Sequence, residues 1–112
     1  MCIRDSALNV VKSDFKFDNI TIDGARADAF DSDFSTGVIT NSKFIASGND
    51  GVDVSGTSLV LKNILMEDIG DKAVSVGEKS SLTGDNIRIN GAVLGIVSKD
   101  RSDALVLSLI HI

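Results

Sequence analysis

The sequence has no proline, tyrosine or tryptophan, and one cysteine and one histidine. Those two residues, Cys2 and His111, stand at opposite ends of the chain. The interior therefore cannot build a Cys/His zinc site, a Ser-His-Asp triad or a Cys-His dyad. Positive charge is also scarce: 11 Lys and Arg against 16 Asp and Glu give a net charge of −5. That balance excludes nucleic acid and anionic membrane surfaces as natural partners. No apolar run approaches the ~20 residues of a membrane-spanning helix. What remains is rich in Gly, Asn, Asp, Ser, Val and Ile, which is strand-and-turn chemistry rather than helix chemistry. Hydrophobic residues make up 43%, enough for a core and against disorder.

The two ends stand apart from the rest. Back-translated, the tail "LSLIHI" has a reverse complement that encodes the opening "MCIRD". The ends can thus be one DNA element read in opposite directions, similar to a transposon mosaic end used as a sequencing adaptor. Residues 1–6 and 107–112 are read as adaptor-like scars and set aside from the fold. Residues 7–106 are read as one domain, internal to a longer protein. Removing Arg4 and Asp5 with the ends leaves the net charge unchanged at −5.

Within residues 7–106 the dominant signal is a period of 22. A small residue recurs at Ala7, Ala29, Gly51, Ala73 and Gly95. The next position is always apolar: Leu8, Phe30, Val52, Val74, Ile96. A second column holds Asn19, Asn41 and Asn63, with Asn86 following after 23 residues. Apolar residues stand one and three places after each asparagine, failing once, at Ser42. Glycine closes each unit, at Gly24, Gly48, Gly70 and Gly91. Each unit thus holds three short alternating segments separated by turns, and alternation with period 2 means strands with one buried face. One unit cannot bury that face by itself. A chain wound into stacked coils can, with each strand pairing in parallel with its equivalent ~4.8 Å away. The predicted fold is all-β: a parallel β-helix of about four to five coils with three short strands per coil. The asparagines form a stacked amide ladder at a turn, where Asn tolerates left-handed backbone.

The 22-residue coil, the asparagine column and the phrases "NSKFIASGNDGVDVSG" and "GDKAVSVGEKSSL" resemble right-handed parallel β-helix repeats of the pectate-lyase-like family. The resemblance covers nearly all of residues 7–106. It implies a right-handed coil and a secreted or cell-surface bacterial protein that acts on or binds polysaccharide.

Candidate site residues lie on the first strand of each coil and the turn before it. Val52 and Val54 point inward, which turns Asp53 outward. Asp31 and Asp53 form one column, followed by Ser75 and Val97; Asp28 and Asp50 form another, followed by Lys72. Stacked carboxylates repel by a few tenths to ~1 kcal/mol. Salt, Lys72 or a divalent cation would offset this, and calcium is the cation that takes such oxygens. The plainer alternative is a set of solvated surface aspartates. Asp28, Asp31, Asp50 and Asp53 are therefore the candidate metal- or substrate-binding residues, with no catalytic residue assigned.

Other motifs fall short. "GNDGVDVSG" resembles the calcium-binding RTX nonapeptide, but no second copy follows nine residues on. "DSDFSTG" opens like an EF-hand loop, but its glycine comes one place late and Ser42 stands where the closing Glu belongs. "NIT" at Asn19 fits the glycosylation sequon, yet Asn19 is assigned to the internal ladder. The polygalacturonase branch of the family carries adjacent Asp-Asp and Gly-His-Gly, both missing from this chain; "RIN" at Arg88–Asn90 is only a superficial match. Lys72 or Lys79 could act as a lyase base, but neither is distinguished from a surface lysine. The leading expectation is a structural or carbohydrate-associated repeat module, whose partners are polysaccharide and the neighbouring coils of its parent protein. The rival is part of a polysaccharide lyase, epimerase or hydrolase with an acidic calcium- or substrate-binding face.

Overall fold

A computed structural model describes residues 7–99, 101–106 and 109–111. The described chain is all-β and winds through about four turns of a parallel β-solenoid. The strands are β1 (Leu8–Val11), β2 (Asp14–Asp18), β3 (Thr21–Asp23), β4 (Phe30–Asp33), β5 (Thr36–Ser47), β6 (Val52–Ser55), β7 (Ser58–Val76), β8 (Ser81–Ser98), β9 (Asp103–Val106) and β10 (Leu109–His111). All pairings are parallel, and the register follows the sequence columns: Phe30 pairs with Val52, and Val52 with Val74.

Each turn has three sides. Side one is β1, β4, β6 and the ends of β7 and β8; sides two and three are separate in the first turn, as β2 and β3. In the inner turns sides two and three fuse into β5, β7 and β8, so three short strands per coil describe only the first turn. Backbone hydrogen bonds to the next turn continue at the corners even where the strands are separate: Asn19 N donates to Thr40 O at 3.0 Å and Gly24 N to Ile45 O at 3.0 Å.

Three columns of left-handed residues make the corners. Lys12, Phe34, Gly56 and Lys79 turn side one into side two. Asn19, Asn41, Asn63 and Asn86 turn side two into side three. Gly24, Ala46, Asp68 and Gly91 end side three, and a loop then returns the chain to side one. The sequence reading placed that third turn two residues late in the middle coils, at Gly48 and Gly70, which lack positive φ. Their glycine has a different reason: a Cβ at Gly48 would sit on the Arg26 carbonyl, and one at Gly70 on the Gly48 carbonyl. Loop backbones of successive turns touch there.

The core is the set of inward columns. Phe30, Val52 and Val74 stack on side one, Leu59 and Leu82 on side two, and Phe44, Met66 and Ile89 on side three, all buried. Gly37 leaves a gap in its column that the Phe15 ring fills, and Phe15 stacks on Phe17 at 5.2 Å between ring centres. The exceptional Ser42 is buried because its hydroxyl is satisfied: it accepts from Ile20 N at 3.2 Å and donates to Thr40 O at 2.8 Å. The turn formed by residues 77–79 carries the extra residue that moves Asn86 to a spacing of 23, and the shorter loop after Ala92 restores 22, pairing Lys72 with Leu94. Residues 1–6 lie outside the described residues. Leu109–His111 pairs with Ile87–Ile89 as one more parallel rung.

Candidate functional site

The loop after the third corner sets the candidate site. It brings Asp28 and Asp50 to the outer side of β4 and β6, beside Asp31 and Asp53. Asp31 and Asp53 are direct partners in the ladder, as the period required. Asp28 and Asp50 stand one above the other, but they are not solvated surface residues: their exposures are 8% and 3%. Burial is tolerated because each carboxylate caps the backbone of the turn above. Asp28 Oδ1 accepts from Asp50 N at 3.0 Å and from Asn49 Nδ2 at 3.1 Å. Asp50 Oδ1 accepts from Lys72 N at 3.2 Å. Buried charge needs such donors.

One carboxylate oxygen from each of Asp28, Asp50 and Asp53 lies within 4.8 Å of the others. Asp31 is outside this trio and accepts from Asn9 Nδ2 at 3.1 Å. The positive charge nearby is Lys72, whose Nζ is 3.7 Å from Asp50 Oδ1 and 2.8 Å from Asp71 Oδ2. Asp71 holds Lys72 most closely and, by that hydrogen bond, raises its pKa. One ammonium shared with Asp71 does not balance the trio. Burial, followed by repulsion from Asp28, Asp50 and Asp31, pushes Asp53 up to about 7. Asp50 is also raised, by burial first, and Asp31 by burial and then by Asp33 and Asp28.

The donor set fits a hard divalent cation. Carboxylate oxygens are what calcium prefers, and ligands on opposite sides of it stand ~4.8 Å apart. Calcium takes ~6–8 oxygens, so the trio supplies part of a shell and solvent or a ligand the rest.

Two features escaped the sequence reading, a column of hydroxyl residues and a groove. Ser13, Ser35, Thr57 and Ser80 follow the first corner at spacings of 22, 22 and 23. Each hydroxyl of Ser35, Thr57 and Ser80 accepts the equivalent backbone N–H of the turn below, at 3.0, 3.3 and 3.1 Å. Equal spacing of small hydroxyl residues was the available signal. The second is an open groove of about 340 Å³ beside the asparagine corner, lined by Asn41, Ser42, Lys43, Asn63, Ile64, Leu65, Asn86 and Arg88. The asparagine ladder itself runs along the outside of the coil. Asn63 Nδ2 donates to Asn41 Oδ1 at 3.0 Å and Asn86 Nδ2 to Asn63 Oδ1 at 2.8 Å. Asn19 is not in it as an internal rung: it is exposed, and Asn41 Nδ2 reaches Asp18 Oδ1 instead, at 2.9 Å.

No family model, curated protein or solved structure matches this chain.

Proposed function

We propose that this chain is a structural, carbohydrate-associated β-solenoid module of a larger secreted bacterial protein, of the pectate-lyase-like kind it resembles. The observation that carries the proposal is the parallel pairing that runs from β1 to β8, with one register shift, between Ile69 and Lys72. Ladders that extend from turn to turn suit a scaffold or a long binding surface. The partly buried Phe17, Ile20 and Ile22 at one end, and exposed Leu105 at the other, suit contact with further coils. Retention of the full chain on immobilised uronate and neutral polysaccharides, without release of new reducing ends or unsaturated products, is the expected result. Turnover by the chain contradicts it.

A second reading has its own observation, the three carboxylates gathered around Asp53. On that reading the acidic face holds calcium, or a substrate through calcium, as part of a polysaccharide-active enzyme. Saturating calcium then raises the unfolding midpoint, because an ion that binds only the folded chain stabilises it by mass action. An unchanged midpoint removes this reading.

A further inference from the structure

The amide ladder leaves one of its four asparagines unused, and that one carries a sequon. We infer that Asn19 is an acceptor for an N-linked glycan, delivered from a sugar activated as a diphosphate ester. The inference depends on neither polysaccharide binding nor the acidic face.

Three observations meet at this residue. The first is in the sequence. Of the asparagines in the chain, only Asn19 has a serine or threonine two places on, at Thr21. Asn-x-Thr is the pattern N-glycosyl transfer requires, and it marks exposed positions of secreted chains.

The second observation is the amide itself. Asn63 and Asn86 each donate to the asparagine one turn back. Asn41 does not: its Nδ2 donates to Asp18 Oδ1 at 2.9 Å, and the Thr40 hydroxyl donates to the same oxygen at 2.6 Å. Asp18 thus replaces Asn19 as the first rung. Asn19 is exposed, and its side-chain amide joins no hydrogen bond among the described residues. The period alone puts Asn19 in the ladder; the neighbouring carboxylate takes its place there.

The third observation is presentation. At this corner β2 ends at Asp18 and β3 begins at Thr21, whereas β5, β7 and β8 run straight through theirs. Ile20 N donates to the Ser42 hydroxyl at 3.2 Å rather than to a strand carbonyl. Asn19 turns the chain with φ of 57°. Ile20 packs against the core, and Asn19 and Thr21 are exposed on either side of it. The amide and the hydroxyl that a transferase reads together therefore both face solvent. A bulky glycan is carried there without entering the core.

The chemistry is a substitution at the anomeric carbon of the donor sugar. Asn19 Nδ2 attacks that carbon, so an N–C bond forms and the C–O bond to the diphosphate breaks. The diphosphate leaves with the bonding electrons and its carrier, and Nδ2 gives one proton to a base of the transferase. The same balance holds whether the carrier is a nucleotide or a polyprenyl lipid.

The test offers the folded full chain to two enzymes. One is a soluble N-glucosyltransferase with UDP-glucose; the other is a membrane oligosaccharyltransferase with a polyprenyl-diphosphate oligosaccharide. Peptide mapping by mass locates the product. One glycan per chain is expected, on Asn19, and each arm that yields it assigns a carrier. Thr21→Ser keeps the modification, and Thr21→Val and Asn19→Asp lose it. Both positions are exposed, so thermal unfolding of the variants is expected to match the parent chain. Lys43→Thr gives Asn41 a hydroxyl two places on. Because Asp18 and Asn63 hold the Asn41 amide, its occupancy is expected to be at least about tenfold below that of Asn19. Equal occupancy at the two positions overturns the role of the freed amide. No product in either arm, with an unrelated sequon peptide modified in both, overturns the acceptor. Product that survives Thr21→Val, or that forms only on chain unfolded beforehand by heat, overturns it as well.

Discussion

Two corners of the same coil stack like on like, and they meet opposite electrostatic outcomes. At the asparagine corner each amide both donates and accepts, so Asn41, Asn63 and Asn86 satisfy one another. In the acidic loop a carboxylate only accepts. Asp28 and Asp50 must take their donors from the backbone of the next turn, and Asp53 is left partly buried among like charges. Stacking at ~4.8 Å thus stabilises one residue type and frustrates another.

The largest expected effect breaks the acidic loop outright. Gly48→Ala drives a Cβ onto the Arg26 carbonyl, and the fold should lose about 3 kcal/mol as the loop backbones part. Chemical denaturation of the variant measures it. A loss no larger than a surface substitution would mean that the loops do not touch.

Asn63→Ala attacks the amide corner instead. It forces alanine to φ of 55° and removes two ladder bonds. A cost of about 2 kcal/mol is expected, falling to about 1 kcal/mol in Asn63→Gly, which keeps the bond loss but not the strain. Equal costs would show that the left-handed backbone carries no strain at this corner.

Protonation sharpens the contrast. The folded-state value of about 7 for Asp53 lies above its ordinary 3.8, so between these two the folded chain binds more protons than the unfolded one. Stability therefore falls as pH rises from 3.8 to about 7 and stays reduced above it. Asp53→Asn should flatten that slope and stabilise the protein at pH ~8 by about 1 kcal/mol, after allowance for solvent screening of a partly exposed group. Urea unfolding at pH ~5 and ~8 reads both. A parallel slope in the variant would place the titration elsewhere.

The first corner gives the smallest effect. Phe34 is exposed and left-handed, with its ring over Gly56. Phe34→Asn should gain about 0.5 kcal/mol, the relieved strain less the lost contact. A net loss would mean that the ring contact outweighs the strain.

The contrast also explains what sequence could and could not reveal. Columns of like residues were legible, so the period, the inward Val52 and Val54 and the Asp31–Asp53 pairing followed from spacing. Corners whose residues differ chemically were not. Lys12, Phe34, Gly56 and Lys79 share a backbone conformation and nothing else. Gly48 and Gly70 looked like turn residues because close backbone approach and positive φ both demand glycine. Burial of Asp28 and Asp50 depends on amide donors one turn away, and alternation along a single strand carries no trace of those.

All of this requires that equivalent residues of successive turns lie side by side. NMR contacts between backbone protons test that directly. They should join Lys43 to Leu65, and Asp31 to Asp53, at a separation of 22, and step to 23 between Leu65 and Arg88. Contacts between near neighbours folded back as hairpins, with none at those separations, would contradict the solenoid and every site placed on it.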